Sequence, residues 1–475
     1  MTVFGITSVG TYVPQGRLDR SAVAAVLGSS GGKGTRSVAS YDEDTTSLGV
    51  EAGRLALRSG VAPSAVLFAT TDPAYLDKTN ATAVHAALGL DSSAAAFDAV
   101  GSVRSGIGAL RSALDAAAAG RPTLAVLSDI RNGLPGGQDE VQGGDGAAAF
   151  LCGRDGVIAE LAGAACSTSE FLDRWRSPGQ PASRVWEERF GEAAYAPLAE
   201  AAVADACKQA GITIEAVDHL VLAGLHGRAN RVIAKSLGVR KEALADDLTG
   251  VIGNTGCAHV GLLLADALDR AEPGQVVLVV SVADGVDALV FRTTEALPAA
   301  RAGAVALRER IATETSTVAY PMFLTWRGML NREPPRRPDP DRPAGPPSLR
   351  SEAWKFGFSG SRCIACGMRH LPPTRVCASC HAVDEMEPER LADLQATVRT
   401  FTVDRLAFSL NPPTVIVVVD FDGGGRFQCE MTDVDPSTLA IGDRVEMTFR
   451  RLYTADGVHN YFWKARPVRA GGGND

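Results

Sequence analysis

The chain has 475 residues, 45% of them hydrophobic, and a formal net charge of −8. That length can bury more than one core, since domains usually hold roughly 100–200 residues. The acidic balance without a basic patch argues against a nucleic-acid partner, and no apolar run reaches the roughly 20 residues that span a bilayer. The start, Met1-Thr2-Val3-Phe4-Gly5-Ile6, lacks the basic and apolar segments and the cleavage site of a signal peptide. Nine cysteines, four of them clustered, suit a reducing cytoplasm with one metal site better than a disulfide framework.

Residues 3–12 read as a first strand, with a turn at Pro14. The Gly-rich loop 28–34 lacks the spacing and flanking elements of a phosphate loop. Asp42, Glu43 and Asp44 precede a helix over 47–58 with Leu48, Ala52, Leu55 and Ala56 on one face. An acidic, cap-bearing first turn suits the helix dipole. Residues 66–72 form a buried strand that ends in a polar loop at Thr71 and Asp72. A short apolar run ends at Asp98, and residues 100–106 turn into a helix carrying Leu110, Ala113 and Leu114. A strand over 123–129 and a Gly-rich turn feeding a strand over 143–151 follow.

Residues 171–176 place Arg174 and Arg176 beside Trp175, either as a phosphate contact or as a solvated face packed on the ring. A second pass then repeats the first. It runs through a helix over 201–210, a strand over 219–225, a turn and helix over 253–268, and strands over 276–281 and 285–291. The copies lie roughly 150 residues apart, far longer than a solenoid period, so the reading is two fused half-domains, 1–165 and 166–325. Apolar strands alternating with helices argue for sheets covered on both faces.

The strand over 219–225 delivers His226 at its carboxyl end, and Gly253-Asn254-Thr255-Gly256 opens a helix. An imidazole and an amide so placed can converge on one carbonyl oxygen, which suits stabilising an enolate or oxyanion. These two loops resemble the His and Asn loops of the thiolase superfamily, in particular ketoacyl synthase III and HMG-CoA synthase. The internal duplication fits the same resemblance, which implies a five-layer αβαβα fold with active loops at the pseudo-twofold interface. It also implies carbon–carbon bond formation or cleavage on a CoA or carrier-protein thioester, and a homodimer.

Proline-rich residues 326–350 read as an extended linker. Beyond it, Cys363-x-x-Cys366 and Cys377-x-x-Cys380 can bring four thiolates to one structural zinc. Short strands at 397–401, 414–421, 425–431, 443–449 and 461–466 suggest an OB barrel. A zinc ribbon over 351–390 followed by an OB fold over 391–468 resembles the accessory domain of thiolases and HMG-CoA-synthase-like enzymes, with a thiolase-type partner as one implication. Residues 471–475 read as a tail.

The resemblance also sets a problem. The family places a nucleophilic cysteine at a helix start in the first half, where the dipole lowers its pKa. The matching turn, 97–106, contains no cysteine, and aligning Phe97-Asp98 with the family's Phe-acidic pair puts Val103 at that position, or Arg104 one residue on. The family's general acid/base Glu corresponds to Thr71, with Asp72 the neighbouring carboxylate. Three accounts follow. Ser102, Ser105 or Cys257 replaces the nucleophile. Or His226 and Asn254 polarise a thioester for aldol or retro-aldol chemistry, with Asp72 or His226 moving the proton. Or the chain is a non-catalytic acyl-binding or scaffolding subunit.

Overall fold

The computed structural model describes residues 3–28 and 32–469. Met1 and Thr2, the middle of the loop at 28–34 and the 471–475 tail lie outside the described residues. Nine strands share one sheet: β1 (Gly5–Tyr12), β2 (Ala65–Thr70), β3 (Ala95–Val100), β4 (Thr123–Ile130), β5 (Asp145–Gly153), β6 (Ala159–Ser167), β7 (His219–Gly224), β8 (Val276–Val282) and β9 (Val286–Thr293). Their order is β7-β8-β9-β6-β1-β5-β4-β2-β3.

The duplication is visible in this order. In the first half β2 and β4 run parallel, β4 and β5 antiparallel, and β5 and β1 antiparallel. The second half repeats the scheme with β7, β8, β9 and β6. The counterpart of edge strand β3 is reduced to a single parallel bridge, Leu220 to Leu244. Strand β6 pairs with β9 as β1 pairs with β5, so it opens the second half. The halves therefore divide ahead of residue 159, not at 165. Within the sheet they pair at Gly5–Glu160 and Ile6–Ala159.

Side-chain alternation sets the layers, because neighbouring residues of a strand face opposite ways. On β4, Ala125 and Leu127 join a core with helix α2 (Arg104–Ala118) and helix α5 (His259–Arg270). Leu124 and Val126 face helix α1 (Thr45–Ala56). On β8, Val277 and Val279 face α2 and α5, whereas Val276, Leu278 and Val280 face helix α3 (Glu188–Ala210). The result is five layers, αβαβα. Helix α4 (Gly227–Ser236) follows β7 directly.

The two Cys-x-x-Cys knuckles sit on a three-stranded sheet of Arg369–His370, Ser359–Cys363 and Met386–Arg390. Next comes a closed barrel of β10 (Gln395–Asp404), β11 (Thr414–Phe421), β12 (Arg426–Met431), β13 (Arg444–Ala455) and β14 (Val458–Pro467), ordered β10-β11-β12-β14-β13. The proline-rich linker is not wholly extended: Gly345–Arg350 is a short helix opened by its prolines.

The barrel does not hang free. Its interior residues Val417, Phe449 and Trp463 belong to the same apolar cluster as Leu48 and Ala52 of α1. Buried charges ring that contact. Arg450 meets Glu43 at 2.8 Å, Asp42 at 3.3 Å and Asp433 at 2.6 Å. Lys464 meets Asp42 at 3.1 Å, and Arg466 meets Glu51 at 2.7 Å. Tyr461 Oη donates to Asp44 Oδ2 at 2.6 Å, and Asp44 caps α1 by accepting from Ser47 N. The acidic stretch 42–44 is thus both helix cap and barrel seat.

Candidate active site

Strand β7 ends at Gly224, and His226 is the N-cap of α4. Its Nδ1 accepts from Ala229 N at 3.4 Å, which leaves the proton on Nε2. Nε2 is buried without a partner among the described residues. It faces a cavity of about 90 Å³ whose wall includes Thr71, Ser102, Val103, Asp173, Tyr195 and Asp284. A buried donor without an acceptor is costly, and a substrate oxygen would satisfy it.

Val103 lies in the 97–106 turn. It is the N-cap of α2 and lines the cavity with His226. Arg104 turns away, with Nε 2.8 Å from Asp287 Oδ2 and Nη1 2.7 Å from Asp284 O. The helix dipole that would activate a thiolate therefore meets an isopropyl group. No cysteine lines the cavity. Cys257 is fully buried, and its Sγ donates to Ala69 O at 3.3 Å. Burial pushes its thiol well above the usual range, so it is a core residue and not a relocated nucleophile. Ser102 lines the cavity, but no base hydrogen-bonds its hydroxyl among the described residues, and Ser105 is not on the wall.

Asn254 behaves differently from the expectation. Its Nδ2 donates to Gly224 O at 3.0 Å, and its Oδ1 accepts from Gly256 N at 3.0 Å. A carbonyl and an N–H fix both ends of the amide, so flipping it would break both bonds. Asn230 Nδ2 also donates to Gly224 O, at 3.1 Å. Asn254 thus staples the end of β7, two residues before His226, and it stands off the cavity wall.

Asp72 also stands off the cavity wall. Its backbone oxygen accepts from Thr45 Oγ1 at 2.9 Å, and its carboxylate meets Asn132 Nδ2 at 3.4 Å. Burial and the nearby Asp129 raise its pKa. Thr71 takes the wall position instead. Its Oγ1 donates to Asp129 at 2.8 Å and accepts from Arg131 Nη1 at 3.0 Å, and Arg176 donates to its carbonyl. Asp129 is fully buried and also accepts from Cys257 N at 3.0 Å. Gly256 allows this approach: its φ is +61°, and a Cβ there would lie 2.0 Å from Asp129 Oδ2.

Asp173 and Asp284 are the carboxylates on the wall, and the sequence reading passed over both. Asp173 lies in the 171–176 segment, read only for its arginines. It is buried, and its Oδ1 has no partner among the described residues. A Cβ on Gly191 would lie 2.8 Å from that atom and 2.9 Å from His226 Nε2, so the two unsatisfied atoms face one small space. Asp284 sits in the β8–β9 turn at φ +49°, and burial raises its pKa against the pull of Arg104. Arg174 pairs with Asp139 at 2.7 Å, so residues 174–176 wall the cavity rather than lie on a solvated face.

A second cluster sits in the ribbon. The four Sγ atoms of Cys363, Cys366, Cys377 and Cys380 lie within 4.8 Å of one another. The Cys363–Cys380 and Cys366–Cys377 separations are 3.6 and 3.5 Å. One tetrahedral ion with metal–sulfur bonds of about 2.3 Å needs edges of about 3.8 Å, so the set fits a metal. Each knuckle closes through a left-handed residue: Gly367 (φ +76°) donates to Cys363 O, and His381 (φ +61°) to Cys377 O.

Comparison with known proteins agrees with this geometry. Residues 207–292 match the family described as 3-oxoacyl-[acyl-carrier-protein (ACP)] synthase III C terminal, and residues 389–450 match ChsH2, C-terminal OB-fold domain. The chain is similar to the hydroxymethylglutaryl-CoA synthase of Methanopyrus kandleri, 32% identical over 321 residues, 64% of this chain and 92% of the relative. It is 30% identical to that of Pyrobaculum aerophilum over 70% of this chain and 99% of the relative. In fold it resembles the HMG synthase of the curacin biosynthetic pathway, with a TM-score of 0.57, 15% identity and coverage of 69% and 88% of the two chains. 3-Oxoacyl-(acyl carrier protein) synthase III from Pseudomonas aeruginosa gives 0.56, 20%, 62% and 99%.

Proposed function

The chain belongs to the hydroxymethylglutaryl-CoA synthase family, and from that premise we propose that it joins or cleaves a carbon–carbon bond beside an acyl-thioester carbonyl without forming an acyl-enzyme. It is a thiolase-superfamily enzyme of acyl-thioester carbon–carbon condensation, with CoA or acyl carrier protein as the thioester carrier. The observation that carries the reading is Val103 at the start of α2, on the same wall as His226.

Chemistry without a thioester to the protein is aldol-type. A base removes a proton from the thioester's α-carbon, and the enolate oxygen accepts from His226 Nε2–H. The enolate carbon then attacks a ketone or aldehyde carbonyl, and the resulting alkoxide takes the proton back from the protonated base. The reverse order cleaves the same bond. Asp173 is assigned as the base, because its unsatisfied Oδ1 shares the space in front of Nε2. Asn254 holds the loop that presents the imidazole. The Gly191→Ala variant tests the pairing: its methyl would occupy that space. Turnover is expected to fall at least roughly tenfold with the fold retained, since misplacing reacting groups by about 1 Å can cost 10²-fold. Unchanged turnover would refute the assignment.

The ribbon cluster is assigned to zinc, and four protein thiolates close the coordination sphere, so the ion is structural. Strand β3 is an unpaired sheet edge with Phe97 58% and Val100 44% exposed, which supports self-pairing into a cytoplasmic homodimer. Metal analysis is expected to give one zinc per chain, and light scattering a dimer mass. A thiolase-type partner remains a role for the barrel's outer surface.

A further inference from the structure

A cavity of about 430 Å³ lies between the α/β unit and the barrel, and it shares no lining residue with the candidate active site. Six arginines line it: Arg54, Arg58 and Arg310 from the α/β unit, and Arg390, Arg466 and Arg469 from the barrel side. Four carboxylates line it with them, and Asp433 pairs with Arg469 from outside the lining, which leaves an excess of one positive charge. The pairing is uneven. Arg54 and Arg390 share Asp393 at 3.0 and 2.8 Å. Arg466 holds Glu51 and Glu446, each at 2.7 Å. Arg469 reaches Asp433 at 3.1 Å and Glu314 at 3.4 Å.

Arg310 is the exception. It has no carboxylate partner among the described residues; Nη1 donates only to Thr11 O at 3.3 Å, and Nε is buried and unsatisfied. Arg469 Nε and Glu314 Oε1 are buried and unsatisfied beside it. Glu314 gives Arg310 an attractive charge but no direct ion pair among the described residues, and a buried guanidinium with an unsatisfied N–H is costly. The planar fork of Arg matches the oxygens of phosphate, and hydrogen bonds between charged groups are the strong ones. Leu55, Leu307 and Leu394 supply an apolar side, and the volume falls in the usual range for small-molecule sites, about 300–1,000 Å³.

We propose that this interdomain cavity binds a small phosphate-bearing molecule, its phosphate held by Arg310 and the neighbouring Arg469. Because both units contribute walls, the ligand would also clamp the barrel onto the α/β unit.

Inorganic phosphate is the probe, titrated against full-length protein by calorimetry in buffers matched in ionic strength with chloride. Saturable binding is expected. Arg310→Gln is expected to weaken it roughly tenfold, the size of a charge-assisted pair. Glu314→Gln removes a competing carboxylate and is expected to tighten it severalfold, a gain that a misfolded variant would not show. No binding above the chloride control overturns the proposal, and so does binding that neither substitution changes.

Discussion

The His226→Ala variant is expected to lose turnover by roughly 10²–10³-fold, the cost of removing one donor from a developing oxyanion. The loss should fall on kcat more than on KM, because Nε2–H strengthens its bond as charge moves onto the oxygen. The fold should survive. His226 makes one weak cap contact, to Ala229 N at 3.4 Å, and Asn254 and Asn230 hold the strand end independently at Gly224 O. Circular dichroism and thermal unfolding check that half of the expectation. A non-catalytic acyl-binding or scaffolding subunit would have no turnover to lose, and its partner complex would survive the substitution.

The second large effect is on stability. Arg450 is fully buried among Glu43, Asp42 and Asp433. Replacing it with alanine leaves Glu43 without its cation and takes one of two from Asp42, which keeps Lys464, and from Asp433, which keeps Arg469; breaking a buried pair from one side costs about 3–5 kcal/mol. Denaturant unfolding is expected to show that loss first as release of the barrel from α1. A change within about 0.5 kcal/mol would mean that the charges are not what seats the barrel.

The same contact gives a pH dependence. Burial pushes Asp42 and Glu51 upward, but Lys464 and Arg450 outweigh it for Asp42, and Arg466 and Arg54 for Glu51. Both acids are held at about 2. Folded values below the unfolded values of about 4 contribute stability that is complete above pH 4 and lost as pH falls toward 2. Glu43 runs the other way: burial raises it despite Arg450, so it opposes the trend in part.

Much of this architecture was legible in the residues. Alternating apolar strands and the 150-residue echo gave the duplicated sheet, and paired Cys-x-x-Cys knuckles gave the four-thiol cluster. The absence of a cysteine from the 97–106 turn was also visible, with Val103 or Arg104 at the family position. What stayed hidden depended on distant segments meeting. Asp173 lines the same cavity as His226 because the 171–176 segment forms part of its wall, and no local pattern marks that. Asn254 opens its loop as the family resemblance has it, but the carbonyl it binds belongs to Gly224, thirty residues away. The acidic stretch 42–44 looked like a helix start and is one, but its partners come from residues 450–464.

The central claim is that carbon–carbon chemistry proceeds here without an acyl-enzyme, and intact-protein mass spectrometry tests it most directly. The protein is mixed with acetyl-CoA and a panel of longer acyl-CoAs, quenched in acid and weighed. Unmodified mass alongside saturable acyl-CoA binding is the predicted result. An acyl adduct mapping to Ser102 would contradict the account and restore covalent transfer through a relocated hydroxyl.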